Sequence, residues 1–363
     1  MKDKKNLYKV LGVLVVSLLS MVFLWQKSQG EHLGMILKSI NPIFLLAGGG
    51  AFFVYLSMEA LAFRYLLKNQ GYDISIWRGI GYTLSDSFFS NISPGGSAGQ
   101  PGQFYYMHRD GISSAACMMS LVAFNSMYHV GMLIIMVFAY FIGATSFVLE
   151  VKGMKAMVIF GILCQVFFVL FQCGMMFSNR FLPNMVRKFF KIVKKYPKLH
   201  KISEKEEDFL EQVDLYQSYG KSFKERPMIF VRVLLYDIVL LVALYSVSYW
   251  VYRGLGFQQY SILEIIALQS VITIAVESLP LPGGVGVSEG SLLAIYSQLI
   301  PSSYAFGWML VTRSLSFYTG LVFGGIVVFS MKKLFFKEEV NLKQKTHGKK
   351  KSLQKVSSPS PNY

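Results

Sequence analysis

The sequence predicts an all-α polytopic membrane protein with about six full spans plus two oppositely oriented re-entrant helical hairpins in an inverted repeat. Three observations predict it. The 363-residue chain is 53% apolar and 15% charged, against about 25% charged in soluble domains. Apolar runs that meet or approach the ~20 residues needed to cross a bilayer recur along it. Two Pro-Gly stretches, "SNISPGGSAGQPGQ" from Ser90 and "ESLPLPGGVGVSEG" from Glu277, interrupt the pattern where unpaired backbone is hardest to satisfy.

Val10–Trp25 follows the basic "MKDKK" and lacks a clear small-residue cleavage site, so it reads as an uncleaved first helix. Pro42–Leu67 is the second span. Ile76–Ile92 runs into the first Pro-Gly stretch, and the limb that follows is too polar to cross lipid. Ser114–Ile142 and Met154–Phe177 complete a first half, residues 1–179. Residues 180–227 form a connector dense in Lys and Arg, within which Lys188–Lys198 reads as an interfacial helix on anionic lipid. The second half, residues 228–333, opens with Met228–Tyr252 and continues through Ile262–Leu279 into the second Pro-Gly stretch. Ser291–Ile300 is too short to span alone, and Tyr304–Met331 closes the half. Residues 334–363, rich in Lys, Ser and Pro, read as a disordered basic tail.

Lys and Arg near span ends set orientation. The N-terminus, the 180–227 connector and the tail are all basic, which places all three in the cytoplasm. Parity then requires residues 68–113 to enter from the cytoplasm and return to it, and residues 253–303 to do the same from outside. The Pro94-Gly95-Gly96 and Gly102 pattern recurs as Pro282-Gly283-Gly284 and Gly290 at a constant offset. Inverted repeats with interrupted helices at matching positions point to a binding site near the bilayer midplane.

The chemistry expected there is recognition of an anion. A half-helix that starts after a break presents free N–H groups and a positive dipole end, and glycines admit close approach. The candidate substrate-binding groups at the first tip are Gly95, Gly96, Gln100 and Gln103; at the second they are Gly283, Gly284 and Ser288. Ionisable residues inside spans are costly and are functional candidates by default. Arg313 is the cation expected to meet a lipid phosphate, with an internal salt bridge to Glu277 or Glu289 as the competing reading. Glu289 is the candidate for a cationic headgroup or a coupling proton, and Glu277 for pinning its hairpin. Asp86 and Asn91 are the counterparts on the first hairpin. Asn125 and His129 lie one turn apart and face one cavity if they are not simply polar core. Arg64 reads as snorkelling near the inner edge, and the sequence leaves the partner of Asp237 open.

Several classes are excluded. Cys117, Cys164 and Cys173 show neither a disulfide framework nor zinc spacing, and no metal site or cofactor is expected. There is no Walker loop. The formal net charge of +16 reads as membrane anchoring, with no direct nucleic-acid binding expected.

The two motifs, with the basic connector between them, resemble the membrane domain of the lysylphosphatidylglycerol synthase family, the flippase-like domain of the bacterial multiple peptide resistance factor. Ala98-Gly99-Gln100-Pro101-Gly102-Gln103 is similar to the family's Gly-Gly-Gln-Pro-x-Gln form, with Ala98 in place of the first glycine. Pro282-Gly283-Gly284-Val285-Gly286-Val287-Ser288-Glu289 is similar to its Pro-Gly-x-x-Gly-x-x-Glu form. The resemblance covers about Val10 to Lys333. It implies a translocase for an anionic or lysyl-modified phospholipid or a lipid-linked precursor in the bacterial cell membrane. It ties that activity to surface charge and cationic peptide resistance. It also implies a separately encoded aminoacyl- or glycosyltransferase as a possible partner. The alternatives are a phosphatidylglycerol lysyltransferase, or the membrane subunit of one, and a lipid-binding scaffold. The short tail after Met331 leaves no room for the lysyl-transfer domain, so no catalytic residue is expected here.

Overall fold

In the computed structural model the described residues are 33–196, 204, 206–279 and 286–334. The first expected span Val10–Trp25, the second tip with Gly283 and Gly284, and the basic tail lie outside them. The described residues form helices without strands, in the order α1 Leu33–Ser39, α2 Pro42–Asn69, α3 Ile76–Asn91, α4 Gly99–Arg109, α5 Ser114–Phe141, α6 Ala144–Leu149 and α7 Met154–Phe177. The connector gives α8 Phe181–Val193 and α9 Glu206–Glu225. The second half gives α10 Met228–Gly254, α11 Ile262–Glu277, α12 Val287–Tyr296, α13 Ser302–Arg313 and α14 Thr319–Leu334. Among the described residues, five helical stretches are long and apolar enough to cross a membrane: Pro42–Asn69, Ser114–Phe141, Met154–Phe177, Met228–Gly254 and Ser302–Ser330. These match the expected spans, the sixth falling outside the described residues. The last differs from expectation in one respect. It is not a uniform α-helix, because a π-helical turn, Ser314–Tyr318, joins α13 to α14.

Local sequence sets the helix starts. Asn41 accepts a hydrogen bond from the Ile43 N–H, with Pro42 in the first turn, and Ser75 and Ser113 cap α3 and α5 in the same way. Ser261 and Glu264 form a full capping box on α11. The arms of the two hairpins have 16 and 11 residues (α3, α4) and 16 and 10 residues (α11, α12). All are shorter than the ~20 residues a bilayer demands.

The long helices α2 and α10 pack antiparallel at the centre. The Asn41 N–H donates to the Gly254 carbonyl at one end, 3.0 Å, and Arg232 lies over the Tyr65 ring at the other, 5.0 Å. α3 packs on α2 and α14, and α11 packs on α10, α7 and α5. The outward face of α7, including Phe160, Leu163, Phe167 and Leu170, is exposed; for a chain solvated by lipid that face is the expected one to leave apolar.

The two hairpins open toward opposite ends of the bundle. The base of the first is closed by Arg78 on α3, whose guanidinium donates to Asp110 just after α4, where the Tyr82 hydroxyl also donates. Beside it lie the connector helices: the Ala115 N–H donates to Gln212 Oε1 of α9 at 3.2 Å, and Arg226 reaches Asn69. The base of the second hairpin lies at the other end, where the Tyr260 N–H donates to the Tyr252 hydroxyl. Phe147 and Phe257 bring in α6 and the start of α13 through ring contacts with Tyr260 and Tyr304.

Each hairpin is held by a glycine on a flanking span. A Cβ at Gly161 of α7 would sit 2.1 Å from the Ile274 carbonyl oxygen of α11, and one at Gly324 of α14 would sit 2.4 Å from the Leu84 carbonyl oxygen of α3. Small residues that admit backbone contact are a main source of helix association in lipid. Gly161→Ala and Gly324→Ala should each cost about 1–3 kcal/mol by overpacking and lower the melting temperature in detergent. Gly50→Ala, where an added Cβ meets nothing within 4 Å, should not lower it, since Ala favours a helix interior over Gly. Equal shifts in all three would contradict this packing.

Candidate functional site

The hairpins come together on the π-turn of the last span. Arg313 ends α13, and its Nε and Nη2 both reach Glu289 Oε1 at 2.9 Å. The pair is deeply placed, with side-chain exposures of 12% and 1%. The other Glu289 oxygen accepts from the Gly286 N–H at 2.6 Å, so this carboxylate caps the start of α12 while it holds the cation. The Arg313 guanidinium also lies over the Phe317 ring, 4.2 Å from its centroid. From the first hairpin, Asn91 Nδ2 donates to the Phe317 carbonyl at 3.4 Å. A π-turn leaves backbone carbonyls displaced from the regular ladder, and here one is taken up by Asn91. Of the two readings left open for Arg313, the structure holds the ion pair with Glu289; Glu277 bonds elsewhere.

The first tip is closed by glycine. Gly95 and Gly96 adopt φ of 57° and 68°, a left-handed backbone that side chains disfavour. The Ala98 N–H donates to Ser93 Oγ at 2.9 Å, and Ser90 Oγ donates to the Gly96 carbonyl. A Cβ at Gly99 would lie 1.9 Å from Ser90 Oγ and 2.5 Å from Asp86 Oδ1, and one at Gly102 would lie 2.2 Å from the Phe89 ring. Asp86 therefore sits against the first turn of α4, as Glu289 sits against the first turn of α12. Both half-helix N-termini already face a carboxyl group, which suits their dipoles.

Beside Asp86 is a second polar group. Gln103 of α4 donates to Glu59 Oε1 of α2 at 3.1 Å, and both side chains are buried. Asp86 lies close enough to Glu59 to interact with it electrostatically. On the other side, the Tyr128 hydroxyl of α5 donates to Glu277 Oε1 at the end of α11, 3.3 Å. Asn125 and His129 are half-buried on the same helix. The His129 ring stacks on Phe168, 5.4 Å between centroids, and its Nδ1 is buried without a partner.

The expected residues thus divide. Arg313, Glu289 and Asn91 meet at the π-turn, while Asp86, Gln103, Gly95 and Gly96 form the first tip and its supports. Glu277 stands with Tyr128, and Asn125 and His129 line the same face of α5. Gln100 is exposed and Ser288 half-buried; neither takes a hydrogen bond that defines the site. Sequence reasoning did not pick out Tyr128, Arg78 or Asp110, and gave Glu59 no role. For Glu59 the signal was available: an acid near the middle of an apolar span. Among the described residues no group of three His, Cys, Asp or Glu could hold a metal ion.

Spans in a helical bundle, two opposed broken hairpins and an ion pair buried where they converge define a multi-pass α-helical membrane protein. The chain belongs to the family described as "Lysylphosphatidylglycerol synthase TM region", whose model matches residues 9–324. It is also similar to a relative from Archaeoglobus fulgidus described as "UPF0104 membrane protein", 24% identical over 334 residues and covering 88% of this chain and 95% of that one. No solved structure matches it.

The Glu289–Arg313 contact should behave as one unit. In a double-mutant cycle of Glu289→Gln and Arg313→Gln, read from unfolding in mixed micelles, the coupling should be about 1.5–3 kcal/mol, as for hydrogen bonds to charged groups. Additive effects would show that the two do not depend on each other.

Proposed function

We propose that the protein is a lipid translocase that passes the headgroup of an anionic or aminoacylated phospholipid, or of a lipid-linked precursor, between leaflets where the hairpins meet. The observation that carries this reading is the Arg313–Glu289 pair at the junction of both hairpins with the last span. A buried ion pair is weak as a stabilising device, since desolvation offsets much of its attraction. As a binding device it has a clear use. A phosphodiester can offer the guanidinium both of its non-bridging oxygens in a bidentate arrangement, whereas Glu289 gives it only Oε1, its other oxygen being taken by the Gly286 N–H. The arriving phosphate replaces Glu289 on Arg313 and releases that carboxylate to meet a cationic headgroup amine.

The basic connector and the basic tail support a cytoplasmic placement of both termini. The exposed Phe189 and Ile192 of α8, interleaved with Arg187, Lys188 and Lys191, support an interfacial helix on the anionic inner leaflet. On this account the setting is a bacterial plasma membrane, and the substrate comes from a separately encoded aminoacyl- or glycosyltransferase.

The test is leaflet exchange of fluorescent phosphatidylglycerol in vesicles holding the purified protein. Wild type should accelerate exchange. Arg313→Ala should reduce the rate by about tenfold or more, the equivalent of one lost charge-assisted hydrogen bond, while the protein stays monodisperse and helical. Unchanged exchange in Arg313→Ala would remove Arg313 from the pathway, and no acceleration by wild type would reject the translocase.

A further inference from the structure

Within the α2–α10 contact lies a group that the lipid pathway does not use. Asp237 of α10 is fully buried, at 0% exposure, and neither carboxyl oxygen has a hydrogen-bond partner. Its neighbours along the helix, Val233, Leu240 and Leu241, are buried and apolar. The antiparallel register fixed by Tyr65 under Arg232 places Glu59 opposite Asp237, less than two turns inward from that contact on both helices. Glu59 is buried too, and it is the charged group that acts on Asp237 electrostatically.

The surroundings decide what this pair can hold. The Glu59 member is faced by Tyr55, on the turn before it in α2, and from α3 by Asp86. α4 contributes the Gln103 amide. α10 also packs on α5, α11 and α13, and among the described residues none of these brings a charge that acts on Asp237. The arginines on the same two helices are engaged elsewhere, Arg64 with Asp73 at 3.7 Å, Arg232 over Tyr65 and Arg253 over Phe44. Two buried carboxyl groups that act on each other in an apolar setting without a cation are too costly to hold ionised together. A bound divalent metal needs several oxygen ligands around it, and among the described residues no group of three His, Cys, Asp or Glu could hold one. A proton needs only one carboxyl oxygen.

We propose that Glu59 and Asp237 form a proton-binding site, with the proton carried as an O–H on one carboxyl and released from it to water when the α2–α10 contact loosens. The hydrogen bond from Gln103 to Glu59 ties the site to the first hairpin. Loss of the proton leaves two like charges, which drive α2 and α10 apart and alter the seat of that hairpin. The site itself stands on packing alone; its role in lipid movement rests on the translocase reading above.

The experiment is carbodiimide modification of the wild-type protein in lipid nanodiscs, mapped by mass spectrometry, since carbodiimides attack protonated carboxyls in apolar settings. The expected result is modification of Asp237 or Glu59 near neutral pH that falls as pH rises and is unaffected by sodium. Absence of modification at both positions overturns the proposal, as does protection by sodium, which would make this a sodium site. In the vesicle assay, wild-type exchange should respond to an imposed proton gradient, and Asp237→Asn should lose that response while the protein stays monodisperse and helical. Exchange that is present but blind to the gradient in wild type rejects the coupling and leaves the translocase standing. Modification without any lipid exchange rejects the translocase and leaves the proton site standing.

Discussion

Irregular backbone inside a bilayer must be covered by protein or water, because each unpaired N–H or C=O costs several kcal/mol in hydrocarbon. Nearly every distinctive feature of this molecule follows from meeting that demand twice. The first hairpin is shut at its base by the Arg78–Asp110–Tyr82 cluster and at its tip by Ser90 and Ser93. Gly99 and Gly102 let its arms close on Asp86, Ser90 and Phe89. The second hairpin starts its returning arm on Glu289, which takes the Gly286 N–H and Arg313 together. Gly161 and Gly324 then seat the first arms of both against spans. The polar groups collected to satisfy the breaks are also the groups that make a site.

Charge is distributed unevenly over that site. Arg313 is engaged by Glu289 and Phe317, whereas Glu59, Asp86 and Asp237 gather where α2, α3 and α10 meet. One region thus holds a buried ion pair, and the other gathers acids that repel unless neutralised. The two are joined mechanically, since α3 ends in Asn91 on the π-turn and carries Asp86 on the turn before it. A change at one region has a short rigid path to the other.

Much of this was legible in the sequence, and the rest was hidden for identifiable reasons. Span lengths and the two breaks follow from local composition, and the Pro-Gly motifs carried the family. Arg313 and Glu289 stood out because charges are rare in apolar runs, but their pairing is a long-range contact that helical periodicity does not encode. The π-turn was invisible, because Ser314 to Tyr318 reads as ordinary helix until Asn91 and Arg313 are known to bracket it. Nothing in the local sequence marks Arg78 and Asp110, because their pairing closes a hairpin across 32 residues. Asp237 was visible as an acid in a span, but its isolation emerges only when the α2–α10 register is known.

The account rests on the two hairpins entering from opposite faces, and thiol labelling tests this most directly. In a background where Cys117, Cys164 and Cys173 are replaced, Asp73→Cys marks the base of the first hairpin and Gln258→Cys the base of the second. Both native residues are exposed. With a membrane-impermeant maleimide on intact cells, Gln258→Cys should react at once and Asp73→Cys only after permeabilisation. Reaction of both from the same face would contradict the opposed arrangement and the site built on it.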